Sequence, residues 1–298
     1  MSNYSDPDVS SGKVKTEPIV IWHFRPNDDS LESLELALST GLINHVSIGA
    51  FHRKDAGVWR KKGKNPDYRK SIEIARKYNV KVIWKRPLWP FWVNEGISYN
   101  TFFDVEYYVN ELKILREEAK ELGADFVAID VEGYGDSPLE PYLKEPSKWL
   151  NKHELERLRE TIRKVVEKAG KADFVWPVGW FNFDHTYVAL AGLGENRVSE
   201  CTYYDNASRL RKLKQNYEIF GAYLNTTKEN KGNPKLPYFL PSEIFERSEL
   251  WSHEKGVFLY PKESNSLAVA KALADYAKTL PHKDGNSQEN NKQQDDKK

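Results

Sequence analysis

The stretch Asp125-Phe126-Val127-Ala128-Ile129-Asp130-Val131-Glu132 decides how this chain is read. Between its outer acids it is almost continuously apolar, the pattern of a strand buried on both faces. Seven other runs share that character: PIVIWHF (18–24), HVSIGAF (45–51), KVIWKRP (81–87), DFVWPVGWF (173–181), RVSECTYY (197–204), EIFGAYLN (218–225) and GVFLYP (256–261). Amphipathic helical patterns separate them, at 30–39, 67–78, 105–122, 152–170, 207–217, 240–251 and 266–280. The segment 182–196 carries the weakest pattern of all. Eight strands alternating with about eight helices predict an α/β protein, a single (β/α)8 TIM barrel spanning residues 17–280. An open doubly wound sheet would want a glycine-rich turn after its first strand. Here that strand ends in His23-Phe24-Arg25-Pro26.

Composition narrows the class further. Of 298 residues, 39% are hydrophobic and 30% charged, so the chain reads as a soluble globular protein with a sizeable core. Forty-five basic residues against 44 acidic ones leave a net charge of +1 and no global drive toward nucleic acid or an anionic membrane. No apolar run approaches the roughly 18 residues that span a bilayer. The single cysteine, Cys201, excludes an intrachain disulfide and a cysteine-built zinc site. The seven histidines show neither His-x-His nor His-Glu-x-x-His, and Gly-x-Ser-x-Gly is absent. Neither metal nor cofactor is expected. Residues 1–16 and 281–298 are polar and predicted to be disordered. The first of these segments lacks the apolar region of a signal peptide, and the compartment and oligomeric state stay open.

In a (β/α)8 barrel the chemistry gathers at the C-terminal ends of the strands. Alternation along strand 4 places Ala128, Asp130 and Glu132 on the barrel side and sends Ile129 and Val131 to the helices. The two carboxylates are then about 6–7 Å apart along the strand. Close like charges in a partly dry site keep one carboxyl protonated as a general acid and the other an anion. The competing reading is a strand end whose acids merely pair with neighbouring Arg or Lys. Strand 6 adds Glu200 and Tyr204 on one face and Asp205 at its end, where Asp205 serves equally well as a helix cap.

Nine Trp, 16 Tyr and 13 Phe make the chain rich in rings that stack on sugar faces. Trp22 and Trp84 read as helix-facing core. Trp89, Trp92 and Trp180 fall in or near the loops that follow strands 3 and 5, with Asn182 beside them and Tyr134 just past strand 4. These suit a carbohydrate partner. His23 and Arg25 end strand 1, and Lys85 and Arg86 lie on strand 3. The cations among them either bind an anionic sugar or neutralise Asp130 and Glu132.

The same residues resemble a family. Family-18 chitinases and related endo-N-acetylglucosaminidases carry Asp-Gly-x-Asp-x-Asp-x-Glu on strand 4 and Gln-x-Met-x-Tyr-Asp on strand 6. Asp125, Asp130 and Glu132 match the first motif, with Phe126 at its Gly and Ala128 at its middle Asp. Tyr204 and Asp205 match the second, and the family's Trp on strand 8 is missing from Val257-Phe258-Leu259-Tyr260. The likeness covers some 14 residues. It implies Glu132 as general acid, Asp130 orienting a substrate acetamido group, and Tyr204 and Asp205 touching that group. Ala128 removes the carboxylate that normally helps to cycle Asp130.

The sequence therefore reads as a glycoside hydrolase acting on a polysaccharide or glycan, with Asp130 and Glu132 catalytic. Its candidate binding residues are His23, Arg25, Arg86, Trp89, Tyr134, Trp180, Asn182, Glu200, Tyr204 and Asp205. Two alternatives stand beside it. One is a non-catalytic carbohydrate-binding barrel; the other is a retaining hydrolase with Asp130 as nucleophile and a strand-6 acid as partner.

Overall fold

The computed structural model describes residues 17–26, 29–49, 66–88, 103–131, 151–177, 189–198, 218–229, 238–247, 251 and 255–281. Eight strands are present among them: β1 (Ile19–Phe24), β2 (His45–Gly49), β3 (Lys81–Pro87), β4 (Phe126–Val131), β5 (Ala172–Pro177), β6 (Gly194–Arg197), β7 (Ile219–Leu224) and β8 (Gly256–Pro261). They form one parallel sheet in the order β6-β5-β4-β3-β2-β1-β8-β7. A parallel bridge from Val198 to Ile219 joins its two ends, so the sheet curls into a nearly closed (β/α)8 barrel.

The described helices are α1 (Leu31–Leu38), α2 (Pro66–Lys77), α3 (Val105–Leu122), α4 (Lys152–Ala169), α5 (Pro241–Glu246) and α6 (Ser266–Thr279). Their ends follow from local chemistry. Asp104 accepts hydrogen bonds from the backbone N–H groups of Glu106 and Tyr107 and starts α3. Gly123, at φ +76°, closes α3 in the left-handed conformation that glycine adopts without strain. Asn151 and Glu154 form a reciprocal capping box at the start of α4.

Period-two alternation sorts the strand side chains into two layers. Trp22, Trp84, Val127, Ile129, Val131 and Val257 join the large cluster under the helices. Ile21, Ile83, Ala128, Phe174, Trp176, Val198, Ile219 and Phe258 form a second cluster inside the barrel. Trp22 and Trp84 thus face the helices, and Ala128 lies inside, as the alternation predicts.

The sixth strand differs from its sequence reading. It begins at Gly194, three residues before the expected start at 197, inside the segment whose pattern was weakest. Gly194 lies so close to β5 that a Cβ there would sit 2.6 Å from Val175 Cγ1. A glycine in tight contact leaves no hydrophobic signal. The expected remainder of that strand, from residue 199 on, lies outside the described residues, as do the helix expected over 207–217 and the segments 1–16 and 282–298.

At the N-terminal end of the barrel one device recurs. A side chain at or just before the start of one strand accepts a backbone N–H of the strand before it: Asn44 for Val20 at 2.7 Å, Asp125 for Val82 at 2.8 Å, Asp173 for Val127 at 2.8 Å and Glu218 for Arg197 at 2.7 Å. Backbone donors that would otherwise be orphaned are satisfied there, and register between neighbouring strands is fixed. Asp125 belongs to this rim. The outer acid of the strand-4 motif therefore ties β3 to β4 at the end of the barrel opposite Asp130.

Candidate functional site

The opposite rim is built from the last inward positions of the strands. His23 on β1, Lys85 on β3, Asp130 on β4, Trp176 on β5, Tyr223 on β7 and Phe258 and Tyr260 on β8 share the inner face. Lys85 stands opposite Ala128 in the β3–β4 register, and Asp130 stands opposite Trp176 in the β4–β5 register. From its place beside Ala128 the lysine reaches forward, and Nζ lies 2.7 Å from Asp130 Oδ2. The same ammonium lies 5.1 Å from the centre of the Trp176 ring, within cation–π range. Lys85 and Asp130 are 2% and 3% exposed. Burying a lone carboxylate is expensive, so the ammonium beside it is what makes this position tolerable.

Aromatic side chains continue the inner face from Trp176. Trp176 meets the edge of Phe258 at 5.3 Å, and His23 stacks on Tyr260 at 4.7 Å. Tyr223 lies 5.0 Å from Tyr260 and 4.9 Å from Tyr238. Burial first, then the charges of Lys85 and Arg25, push the His23 imidazole well below its ordinary range. His23 is therefore neutral at pH 7. Asp130 Oδ1 and Trp176 Nε1 are buried polar atoms with no hydrogen-bond partner among the described residues.

Arg25 reaches this rim but is committed elsewhere. Its Nε and Nη2 grip Asp29 at 3.2 and 3.0 Å, and Nη2 also donates to the Pro261 carbonyl at 2.8 Å. The guanidinium lies 4.8 Å from the centre of the Tyr260 ring. Arg25 thus locks the turn after β1 onto the end of β8 and supports the rim from behind.

Arg86 lies on the other face of β3. Alternation after Lys85 turns it away from the barrel interior and toward α3. There it pairs with Glu111 at 3.3 Å and Glu118 at 3.5 Å, while Trp84 Nε1 donates to Glu118 at 3.2 Å. It lines a cleft with Leu88, Glu111, Leu112, Leu115 and Ile129 on the outer side of the sheet. A substrate at the barrel mouth would be on the other side of β3.

Of the other sequence candidates, Glu132, Trp89, Tyr134, Trp180, Asn182, Glu200, Tyr204 and Asp205 lie outside the described residues. Asp130 and His23 are brought together at the mouth. Trp176 and Tyr260 complete the constellation, and neither is among the binding residues read from the sequence. Alternation through Gly256, Phe258 and Tyr260 was the signal for the latter. Among the described residues there is no cluster of three His, Cys, Asp or Glu side chains able to hold a metal ion. No described helix is long and apolar enough to cross a membrane.

Fold and site together define a (β/α)8 barrel with a buried lysine–aspartate pair beside Trp176 at its C-terminal mouth. No family model and no curated protein sequence matches the chain. Solved structures do match. A chitinase from Bacteroides thetaiotaomicron is 13% identical, with a TM-score of 0.54 over 89% of this chain and 99% of its own. The spore cortex-lytic enzyme SleL of Bacillus cereus is 10% identical, with a TM-score of 0.50 over 86% of this chain and 74% of its own. A sugar phosphate isomerase/epimerase from Parabacteroides distasonis is 9% identical, with a TM-score of 0.47 over 91% of this chain and 97% of its own. The likeness to the first two shows a shared barrel fold, which by itself assigns no reaction.

Proposed function

We propose that the protein is a glycoside hydrolase acting on a polysaccharide or glycan, with Glu132 as general acid and Asp130 as the anion that orients the reacting group. The observation that carries this reading is the position of Asp130. It lies at the C-terminal end of a barrel strand on the inner face, buried, in register with Trp176, where barrel enzymes hold their catalytic groups. The chitinase and the cortex-lytic enzyme that share the fold agree with it. In the favoured arrangement the substrate's 2-acetamido oxygen attacks the anomeric carbon. Asp130 steadies that group, Glu132 protonates the departing oxygen, and the substrate is an N-acetylhexosaminide. In the alternative, Asp130 is itself the nucleophile and a strand-6 acid, Glu200 or Asp205, is its partner.

One observation favours a second reading. Lys85 pairs with Asp130, as expected of an acid that serves the strand end and not catalysis, which leaves a barrel that binds carbohydrate without cleaving it. Turnover separates the two. Glu132→Gln is expected to lower hydrolysis of N-acetylglucosamine oligosaccharides by about 10²–10⁴-fold while glycan binding persists. Wild-type turnover in that variant refutes the assignment of Glu132. Full activity on a substrate without the 2-acetamido group refutes the substrate-assisted arrangement alone. Binding by the wild-type protein without any hydrolysis selects the non-catalytic reading.

A further inference from the structure

The ion pair at the mouth explains one oxygen of Asp130 and leaves the other. Oδ2 is held by Lys85, whereas Oδ1 is buried without a hydrogen-bond partner among the described residues. Its neighbour in register on β5, Trp176, is fully buried and carries the opposite deficit, an indole N–H that donates to nothing described. An unmet acceptor and an unmet donor therefore stand on adjacent strands, at one level, on one face. They do not satisfy each other. Lys85 touches both, as ion partner of the carboxylate and as cation against the indole ring, and fixes how each is presented. Packing alone does not call for this arrangement. Phenylalanine at 176 would keep ring contacts with Phe174 and Phe258 and bring no buried N–H. Groups that lower stability and persist at the mouth of a site are characteristic of binding.

We propose that Trp176 is a specificity-determining residue. Its indole N–H donates to an acceptor on a sugar ring while Asp130 Oδ1 accepts from a donor on the neighbouring ring substituent. The pair selects sugars that present a donor and an acceptor side by side. This rests on the glycosidase reading and adds to it a residue that the strand-4 and strand-6 motifs do not contain. Lys85 acts as the positioning residue for the fork.

The test measures binding of chitotetraose and cellotetraose by calorimetry in a Glu132→Gln background, where turnover is suppressed. Trp176→Phe is expected to weaken binding of the preferred oligosaccharide at least 10-fold while the melting temperature stays level or rises. Should the bulkier change in ring shape disturb folding, benzothienylalanine at 176 replaces only the N–H by sulfur and must give the same loss. Unchanged affinity in both variants overturns the assignment of Trp176 and leaves the glycosidase reading standing. Failure of the parent to bind either oligosaccharide overturns that reading and this inference with it. A fall in affinity matched by a fall in melting temperature for both variants assigns Trp176 to packing and also overturns it.

Discussion

Two aspartates five residues apart, Asp125 just before β4 and Asp130 near its end, occupy opposite rims of the same barrel and live by different rules. Asp125 has a side chain 17% exposed and is fully engaged. It accepts the Val82 N–H, and Arg76 and Lys81 reach it at 2.7 and 3.3 Å. Burial pulls its carboxyl upward, but the Val82 hydrogen bond and the two cations outweigh that and hold it below the ordinary carboxylate range. Asp130 is deeper, has one cation, and keeps an oxygen unmatched among the described residues. The N-terminal rim is built for closure, with Asn44, Asp125, Asp173 and Glu218 each accepting a backbone N–H of the neighbouring strand. The C-terminal rim withholds hydrogen-bonding capacity, which is what a binding site requires and a structural rim avoids.

The sharpest way to break this contrast is to remove the cation at the mouth. Lys85→Met leaves Asp130 buried and uncompensated, and loss of one partner from a buried pair is expected to cost about 3–5 kcal/mol. Chemical denaturation reads it. Adding Asp130→Asn to that variant should recover most of the loss, and no recovery would mean that Lys85 stabilises the barrel by other contacts.

Acid should act on both rims at once through two histidines. Burial, opposed by Asp125 and aided by Lys81, lowers His45 at the N-terminal rim to about 4, and His23 at the mouth is also held well below its ordinary range. In the unfolded chain each takes up its proton near pH 6.5. Below that pH the unfolded state binds more protons than the folded one, so stability is full above about pH 6.5 and is lost as pH falls toward 4. The slope approaches about 1.4 kcal/mol per pH unit for buried His23 and is smaller for half-buried His45. Urea midpoints at pH 7.5 and 5 should show the fall, and His23→Phe should flatten it more than His45→Phe. Equal slopes in wild type and both variants would contradict the neutral-histidine account.

The smallest effect belongs to the N-terminal rim. Asp125→Ala removes one acceptor from a strand N–H and two partly exposed ion pairs, expected to cost about 1–2 kcal/mol. Turnover should be unaffected.

The rims also differ in how far the sequence revealed them. Helix α3 is legible to the residue, because Asp104 and Gly123 announce its ends and apolar periodicity fills it. The inward placement of Ala128 and Asp130 follows from alternation alone. The same alternation, carried one strand back, places Lys85 inside and Arg86 outside. The partners of Arg86, Glu111 and Glu118, become visible only when α3 is docked on β3. Strand β6 is four residues long and begins with Gly-Glu-Asn, a composition that reads as loop. Its identity comes from neighbours on either side, which no local pattern encodes. In the sequence Trp176 is one aromatic among many. Its meaning depends on the register that sets it beside Asp130.

The most direct test sets the two aspartates against each other in one assay. Hydrolysis of N-acetylglucosamine oligosaccharides is measured for the wild type, Asp125→Asn and Asp130→Asn, with folding checked by circular dichroism. Turnover near the wild-type rate is expected for Asp125→Asn, and a loss of about 10²-fold or more for the folded Asp130→Asn. Wild-type turnover in Asp130→Asn, or an equal loss in both variants, would contradict the assignment of catalysis to the C-terminal mouth.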